Sequence, residues 1–294
     1  MSQLIREKTV QDYNQKCQIH WWLSLSFYVK SFRTPWILAN SDNTTAFAGL
    51  GYSVDSKVDS NGHIVLGCSH IYSSSGEGLK FKLARISNDK IQWRHRKPHL
   101  CYDDAYEFGK NIIELFYESM NELPKRVVIH KRTYFTEEEK QGIIDSISDN
   151  NKIESIDLIE INFEDNIKYT SSKIVEGKAC VDGFSVSRGS CILLNSKEAL
   201  LWAHGVVPSV RNPNFSFYPG GRYIPKPLRI IKHYGVGSLE QIANEILGLT
   251  KMNWNSLNMY SQLPATICSS NDIARIGKLI DSNSKHEYDY RYFI

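Results

Sequence analysis

Basic side chains come in clusters along the chain, at Arg94, Arg96 and Lys97, at Lys131 and Arg132, and along Arg222, Lys226, Arg229 and Lys232. Such clusters supply the charge and donors that hold the phosphates of a nucleic-acid backbone. Taken singly, each also reads as a solvated face. Glu137, Glu138 and Glu139 form an opposing acidic patch, and the net charge of +3 is too small to announce a polyanionic partner by itself. The six cysteines are scattered singly, with no C-x-x-C pair and no histidine at ligand spacing. They read as buried or idle thiols in a reducing compartment rather than a zinc site.

The elements that must position these groups follow from periodicity. Thr9 and Asp12 open a helix over 9–31 whose apolar stripe is Val10, Tyr13, Cys17, Trp21, Leu25 and Tyr28. Pro35-Trp36 breaks it. Three β-rich runs follow (Ala46 to Val54, His63 to Tyr72, Leu79 to Ile86), separated by Asp/Ser/Asn/Gly turns, with a shorter strand at Lys90 to Arg94. Ala105, Phe108, Ile112, Leu115 and Phe116 share one helical face ahead of an apolar strand at Arg126 to His130. Thr136 and Glu139 cap the next helix, and a strand at Ser155 to Ile161 follows it.

Three antiparallel strands, helix, strand, helix, strand is the order of an α/β ribonuclease H-like fold, one mixed sheet flanked by helices. That topology has catalytic and non-catalytic uses. The second half reads as strands near Lys178 to Ser187 and Ser190 to Leu194, a short helix at Lys197 to Ala203, a Pro/Asn/Gly-rich loop over 208–221 and a strand at Pro227 to His233. A helix capped by Ser238 and Gln241 comes next, then a last one at Asn271 to Ile280. Trp202 and Trp254 read as core aromatics. With 294 residues, 41% of them hydrophobic, the chain can build a proper core. No run is long enough to span a bilayer and the polar N-terminus is no signal peptide, so no membrane association and a cytoplasmic location are expected.

Several strings, in order, resemble the PIWI domain of Argonautes, most closely the catalytically inactive short prokaryotic ones. Ser26-Phe27-Tyr28-Val29-Lys30-Ser31-Phe32 through Pro35-Trp36 resembles the last helix of the MID lobe, and Ala46-Phe47-Ala48-Gly49-Leu50-Gly51-Tyr52 the first PIWI strand. Val127-Val128-Ile129-His130-Lys131-Arg132 is similar to the fourth strand and its exit. Ser187-Arg188-Gly189-Ser190, Leu249-Thr250-Lys251-Met252 and the aromatic end at Tyr290 to Ile294 continue the series. The resemblance implies the C-terminal part of a MID domain over 1–38 and a PIWI domain over 39–294. It also implies that the chain starts inside the MID lobe, as a fragment or as one part of a split protein.

By the same resemblance Gln3 and Lys30 match the residues that grip the 5′ phosphate of a short guide RNA or DNA. A bridging Mg2+ would bind that phosphate and the C-terminal carboxylate of Ile294, a donor set of hard oxygens that suits the ion. Arg188, Arg222, Lys226 and Lys251 are the candidates for the backbones of guide and complementary target. Two-metal cleavage in this fold needs several carboxylates. Gly51 stands at the first such position and Lys131 and Arg132 near the second, where two cations would repel a divalent metal, while Asn271 and Asp272 lie near the last. The chain is therefore expected to bind guide and target without being the cutting enzyme. The resemblance further implies a partner protein carrying the missing front domains with a TIR, Sir2 or nuclease effector, acting in prokaryotic antiviral defence. Two readings compete with it: a guided nuclease with displaced ligands, and a structural subunit that no longer binds nucleic acid.

Overall fold

The computed structural model describes residues 7, 16–39, 44–54, 63–73, 80–87, 91–94, 97–150, 152–170, 172–181, 186–207, 224–254, 260–277, 287–289 and 291. Helix α1 (Lys16–Lys30) precedes three antiparallel strands, β1 (Thr45–Val54), β2 (His63–Tyr72) and β3 (Lys80–Ser87). A small hairpin of β4 (Gln92–Arg94) and β5 (Lys97–His99) leads to α2 (Tyr102–Met120), β6 (Arg126–Lys131), α3 (Glu137–Ser148) and β7 (Ser155–Phe163). The hairpin β8 (Ser172–Val175) and β9 (Lys178–Val181) stands apart, turning at Glu176 and Gly177, both at positive φ. Then come β10 (Cys191–Leu193), β11 (Glu198–Leu201), β12 (Leu228–Tyr234), α4 (Leu239–Leu249), α5 (Ala265–Gly277) and β13 (Glu287–Asp289).

Nine strands form one mixed sheet in the order β10-β11-β12-β7-β6-β1-β2-β3-β13. The central β1, β6 and β7 are mutually parallel and the outer strands antiparallel. Side chains alternate across the pleat. Ala46, Ala48 and Leu50 of β1 and Val127 and Ile129 of β6 bury against Phe108, Ile112 and Phe116 of α2 and Ile143 and Ile147 of α3. Phe47 and Val128 face the other way, into a core shared with Ile242 and Ile246 of α4, Ala265 and Ile267 of α5, and Val29 of α1. Each such Phe or Ile contributes about 1.5–3 kcal/mol through burial, so both helical layers are bound to the sheet.

Local signals place α3 and α4 well. Thr136 and Glu139 form a reciprocal capping box, and Ser238 accepts the Gln241 N–H. Three expectations need correction. Glu198–Leu201 is not a helix: it pairs with β10 and β12, and a ladder on both sides with Ala199, Leu200 and Leu201 buried overrides the helix propensity of Glu-Ala-Leu-Leu. The stripe assigned to α1 is not its buried face. Cys17, Trp21 and Tyr28 are exposed, and the helix instead buries Ser26 and Val29. The last helix starts at Ala265, six residues early, because Pro264 ends the preceding segment and its carbonyl accepts the N–H groups of Ile267 and Cys268. The Thr9–Asp12 cap lies outside the described residues. Trp202 and Trp254 are core aromatics, and Cys17, Cys180 and Cys191 are free thiols at the surface.

Candidate nucleic-acid interface

Strand β1 carries glycine at alternate positions, Gly49 and Gly51, on the face that meets α5. A Cβ on Gly51 would lie 2.6 Å from the Ser270 carbonyl carbon, 2.7 Å from its oxygen and 2.8 Å from the Asn271 nitrogen. On Gly49 it would overlap the Thr266 carbonyl oxygen. The obstacles are helix backbone, which cannot swing aside as a side chain can. The two glycines therefore let α5 sit directly on the strand. Next to them in β6, His130 Nδ1 meets Thr266 Oγ1 at 2.8 Å and ties the strand to the same helix. His130 is fully buried, and burial, reinforced by the Arg126 charge, pulls its pKa down to about 3.

Arg132 follows His130 on this face, with its guanidinium 5.3 Å from the centre of the Phe163 ring. Asp272, one turn along α5 from Cys268, is largely exposed and paired with Arg275 at 3.1 Å. Burial pushes the Cys268 thiol up to about 11, with Asp272 adding to the rise and Arg132 opposing it, so those three side chains share one electrostatic neighbourhood. The space beside Gly51 is thus filled by helix backbone, and the Arg132 cation stands on the same side of the sheet. Among the described residues no group of three His, Cys, Asp or Glu could hold a metal ion.

Lys131 departs from the reading that paired it with Arg132. The pleat turns it to the α2–α3 face, where it is fully buried and its Nζ lies 2.6 Å from Glu139 Oε1. Tyr134 O accepts from the same Nζ at 3.2 Å, and His99 Nδ1, 3.3 Å from Glu139 Oε2, donates to the other carboxylate oxygen. Burial alone would raise the Glu139 carboxyl. Hydrogen bonds from His99, Lys131 and the Leu100 N–H, with the Lys131 charge, hold it down at about 2 instead. Lys131 is a core anchor and presents no charge to the α5 face.

At the end of α1, Lys30 is half-buried, and burial lowers its pKa. The helix closes with the N–H groups of Ser31, Phe32 and Arg33 bonded back to Phe27, Val29 and Tyr28, which puts Phe32 at φ 60. A left-handed phenylalanine is costly, on the order of 1 kcal/mol, and it needs fixing from outside. Arg291 supplies a contact, its guanidinium 5.3 Å from the centre of the Phe32 ring. Arg291 is thereby placed at the turn that follows Lys30. Gln3, Arg222 and Ile294 lie outside the described residues.

The C-terminal end of α4 gathers two other candidates. Arg188 donates to Leu247 O at 3.1 Å and to Thr250 Oγ1 at 2.6 Å, and its guanidinium lies 4.4 Å from the Tyr260 ring centre. It caps helix carbonyls, where a cation is favourable. Lys251 is exposed just beyond, and its carbonyl accepts the Trp36 indole N–H at 2.9 Å, which links this corner to the segment after α1. Lys226 sits elsewhere, exposed and paired with Asp165 at 2.5 Å.

No family model matches the sequence, and no curated protein does. Solved structures do match over all of it. A crystal structure of Aquifex aeolicus Argonaute covers 100% of the chain at 20% identity and a TM-score of 0.65. Clostridium butyricum Argonaute bound to a guide DNA and a 19-mer target DNA covers 100% at 19% identity and a TM-score of 0.68. The chain has the PIWI fold of Argonautes. It spans 37% and 35% of the lengths of those two proteins.

Within this PIWI fold, two features lay beyond sequence reasoning. The seat of α5 on β1 was signalled only by glycine at alternate strand positions, a pattern that marks a close backbone approach. The Arg291–Phe32 contact joins residues far apart in sequence, and nothing in their local strings announces it.

Proposed function

We propose that the chain is the guide- and target-binding lobe of an Argonaute-type protein and that it holds a complementary target without cutting it. The seat of α5 on Gly51 carries this reading, because it leaves no space for the side chain that two-metal hydrolysis would need there. Arg132 supports it, since a guanidinium beside that position opposes a divalent ion. The likeness to Clostridium butyricum Argonaute, whose structure holds both a guide and a target DNA, supports the binding half.

For the guide's 5′ phosphate, Lys30 is the cation, and Arg291, held on Phe32, adds a second one at the turn after it. If Mg2+ bridges phosphate and C-terminal carboxylate, Gln3, Lys30 and Ile294 are the residues that hold the assembly, and the ion supplies charge neutralisation only. Lys251 serves the strands from the α4 corner, which Arg188 holds in place. Target recognition is then read out by a separate protein bearing an effector domain, in prokaryotic defence.

The test is a filter-binding and cleavage assay on the protein purified with its native partners and loaded with a 5′-phosphorylated guide. Guide-dependent retention of intact complementary target is expected. Guide-templated cleavage, or retention independent of guide, would refute the reading.

A further inference from the structure

Among the described residues the sheet ends on one side at β10, a three-residue strand bonded there only to β11. Trp202 N–H donates to Ser190 O and Leu194 N–H to Glu198 O, both at 2.9 Å. In an antiparallel ladder the bonded pairs alternate, so Ile192 pairs inward with Leu200. The N–H and C=O groups of Cys191 and Leu193 therefore point out of the sheet. Side chains here are bare as well, with Ile192, Leu193 and Leu194 each 45–46% exposed. Sheet edges are usually blunted by charge or proline. The opposite edge, β13, has Glu287 and Asp289 in its sequence, whereas Ser190 to Asn195 contains neither a charge nor a proline.

Beside β10 runs an open groove of about 290 Å³ between the strand and α4, lined by Cys191, Leu193, Leu201, Ala243 and Leu247 with Glu240 among them. An exposed edge strand lying along a helix is the geometry that accepts an added strand.

We propose that this edge is a self-association surface, on which two copies of the chain pair their β10 strands antiparallel about a two-fold axis through Ile192. The register is self-complementary. Cys191 of each copy faces Leu193 of the other as a bonded pair, which uses all four outward N–H groups and all four outward C=O groups. Ile192 meets Ile192 as the non-bonded pair between them. Cross-strand partners share a face, so Leu193 of the second copy enters the groove beside Cys191. A second copy fits better than nucleic acid because the strand carries no cation for phosphate, and it is not repelled because the strand carries no charge at all.

Sedimentation equilibrium over about 1–300 µM spans the range of a small interface. A reversible monomer–dimer equilibrium is expected. Leu193→Pro removes an N–H that faces solvent and not the ladder, and Ile192→Lys places like charges on the axis. Each should weaken the dimer by about tenfold or more with the thermal melting temperature retained. An acetylated peptide spanning Ser190 to Asn195 should dissociate the wild-type dimer. A monomer at every concentration, or a dimer unmoved by both substitutions, would overturn the proposal. Ile192→Lys keeps every backbone donor, so it decides the matter even if the proline variant unfolds.

Discussion

Gly51 and Ser270 approach so closely that a methyl group on the glycine would stand 2.6 Å from the Ser270 carbonyl carbon. A strand and a helix meet backbone to backbone. The consequence for engineering is direct. Gly51→Ala should cost about 1–3 kcal/mol through overpacking, and Gly51→Asp more, because its carboxylate would also be buried unpaired. Thermal melts should show a drop of several degrees, and Gly51→Asp should not gain nuclease activity.

The buried ion pair of Lys131 with Glu139 makes a second prediction. Removing one partner, as in Lys131→Met or Glu139→Gln, leaves the other buried without compensation and should cost about 3–5 kcal/mol. The double variant Lys131→Met, Glu139→Gln should recover part of that loss, because the glutamine keeps an oxygen for the Leu100 N–H. Urea denaturation of the four proteins as a double-mutant cycle measures the coupling.

Sensitivity to acid follows from two groups. Glu139 has its folded pKa depressed to about 2, so its contribution is present above the ordinary carboxylate pKa near 4.5 and is lost as pH falls toward 2. His130 is held neutral, with its pKa lowered from 6.5 to about 3. The unfolded chain takes up that proton first, so stability should begin to decline as pH drops below about 6.5. Denaturant midpoints from pH 7 to 3 should fall in two stages, and His130→Leu should flatten the upper one.

Arg188 and Lys251 stand close together and should behave differently. Arg188 caps α4 and lies on Tyr260, so Arg188→Ala should lower the melting temperature. Lys251→Ala should leave stability within about 0.5 kcal/mol while weakening duplex binding and reducing its salt dependence by about one ion. Binding isotherms at several salt concentrations, beside thermal melts, separate the two roles.

The residues that were legible in the sequence are those whose signal is local. Thr136 with Glu139 and Ser238 with Gln241 marked helix starts because a cap is made within four residues. The β-rich runs marked β1, β2 and β3, and the apolar run at Arg126 to His130 marked β6. What failed depended on distant neighbours. Glu198–Leu201 became a strand because β10 and β12 flank it, and Trp21 and Tyr28 are exposed because α1 meets the core only through its last turns. Lys131 and Arg132 are adjacent in sequence, yet the pleat sends them to opposite faces. One joins a core ion pair and the other faces α5.

Lys30 carries the prediction on guide anchoring. Lys30→Glu should weaken binding of a 5′-phosphorylated guide by about tenfold or more, the scale of a charge-assisted contact, and should leave a 5′-hydroxyl guide nearly unaffected. Phe32→Ala, which removes the contact of Arg291, should give a smaller loss of the same kind. Fluorescence anisotropy with the two guides distinguishes a phosphate pocket from general electrostatic attraction.

The most direct test of the central claim is single-turnover incubation of the guide-loaded protein, with its native partners, and an end-labelled complementary target in manganese. A stable guide-dependent complex is predicted, from which the target is recovered at full length. A discrete fragment that appears only with the matching guide, and disappears on Asp272→Ala, would contradict it.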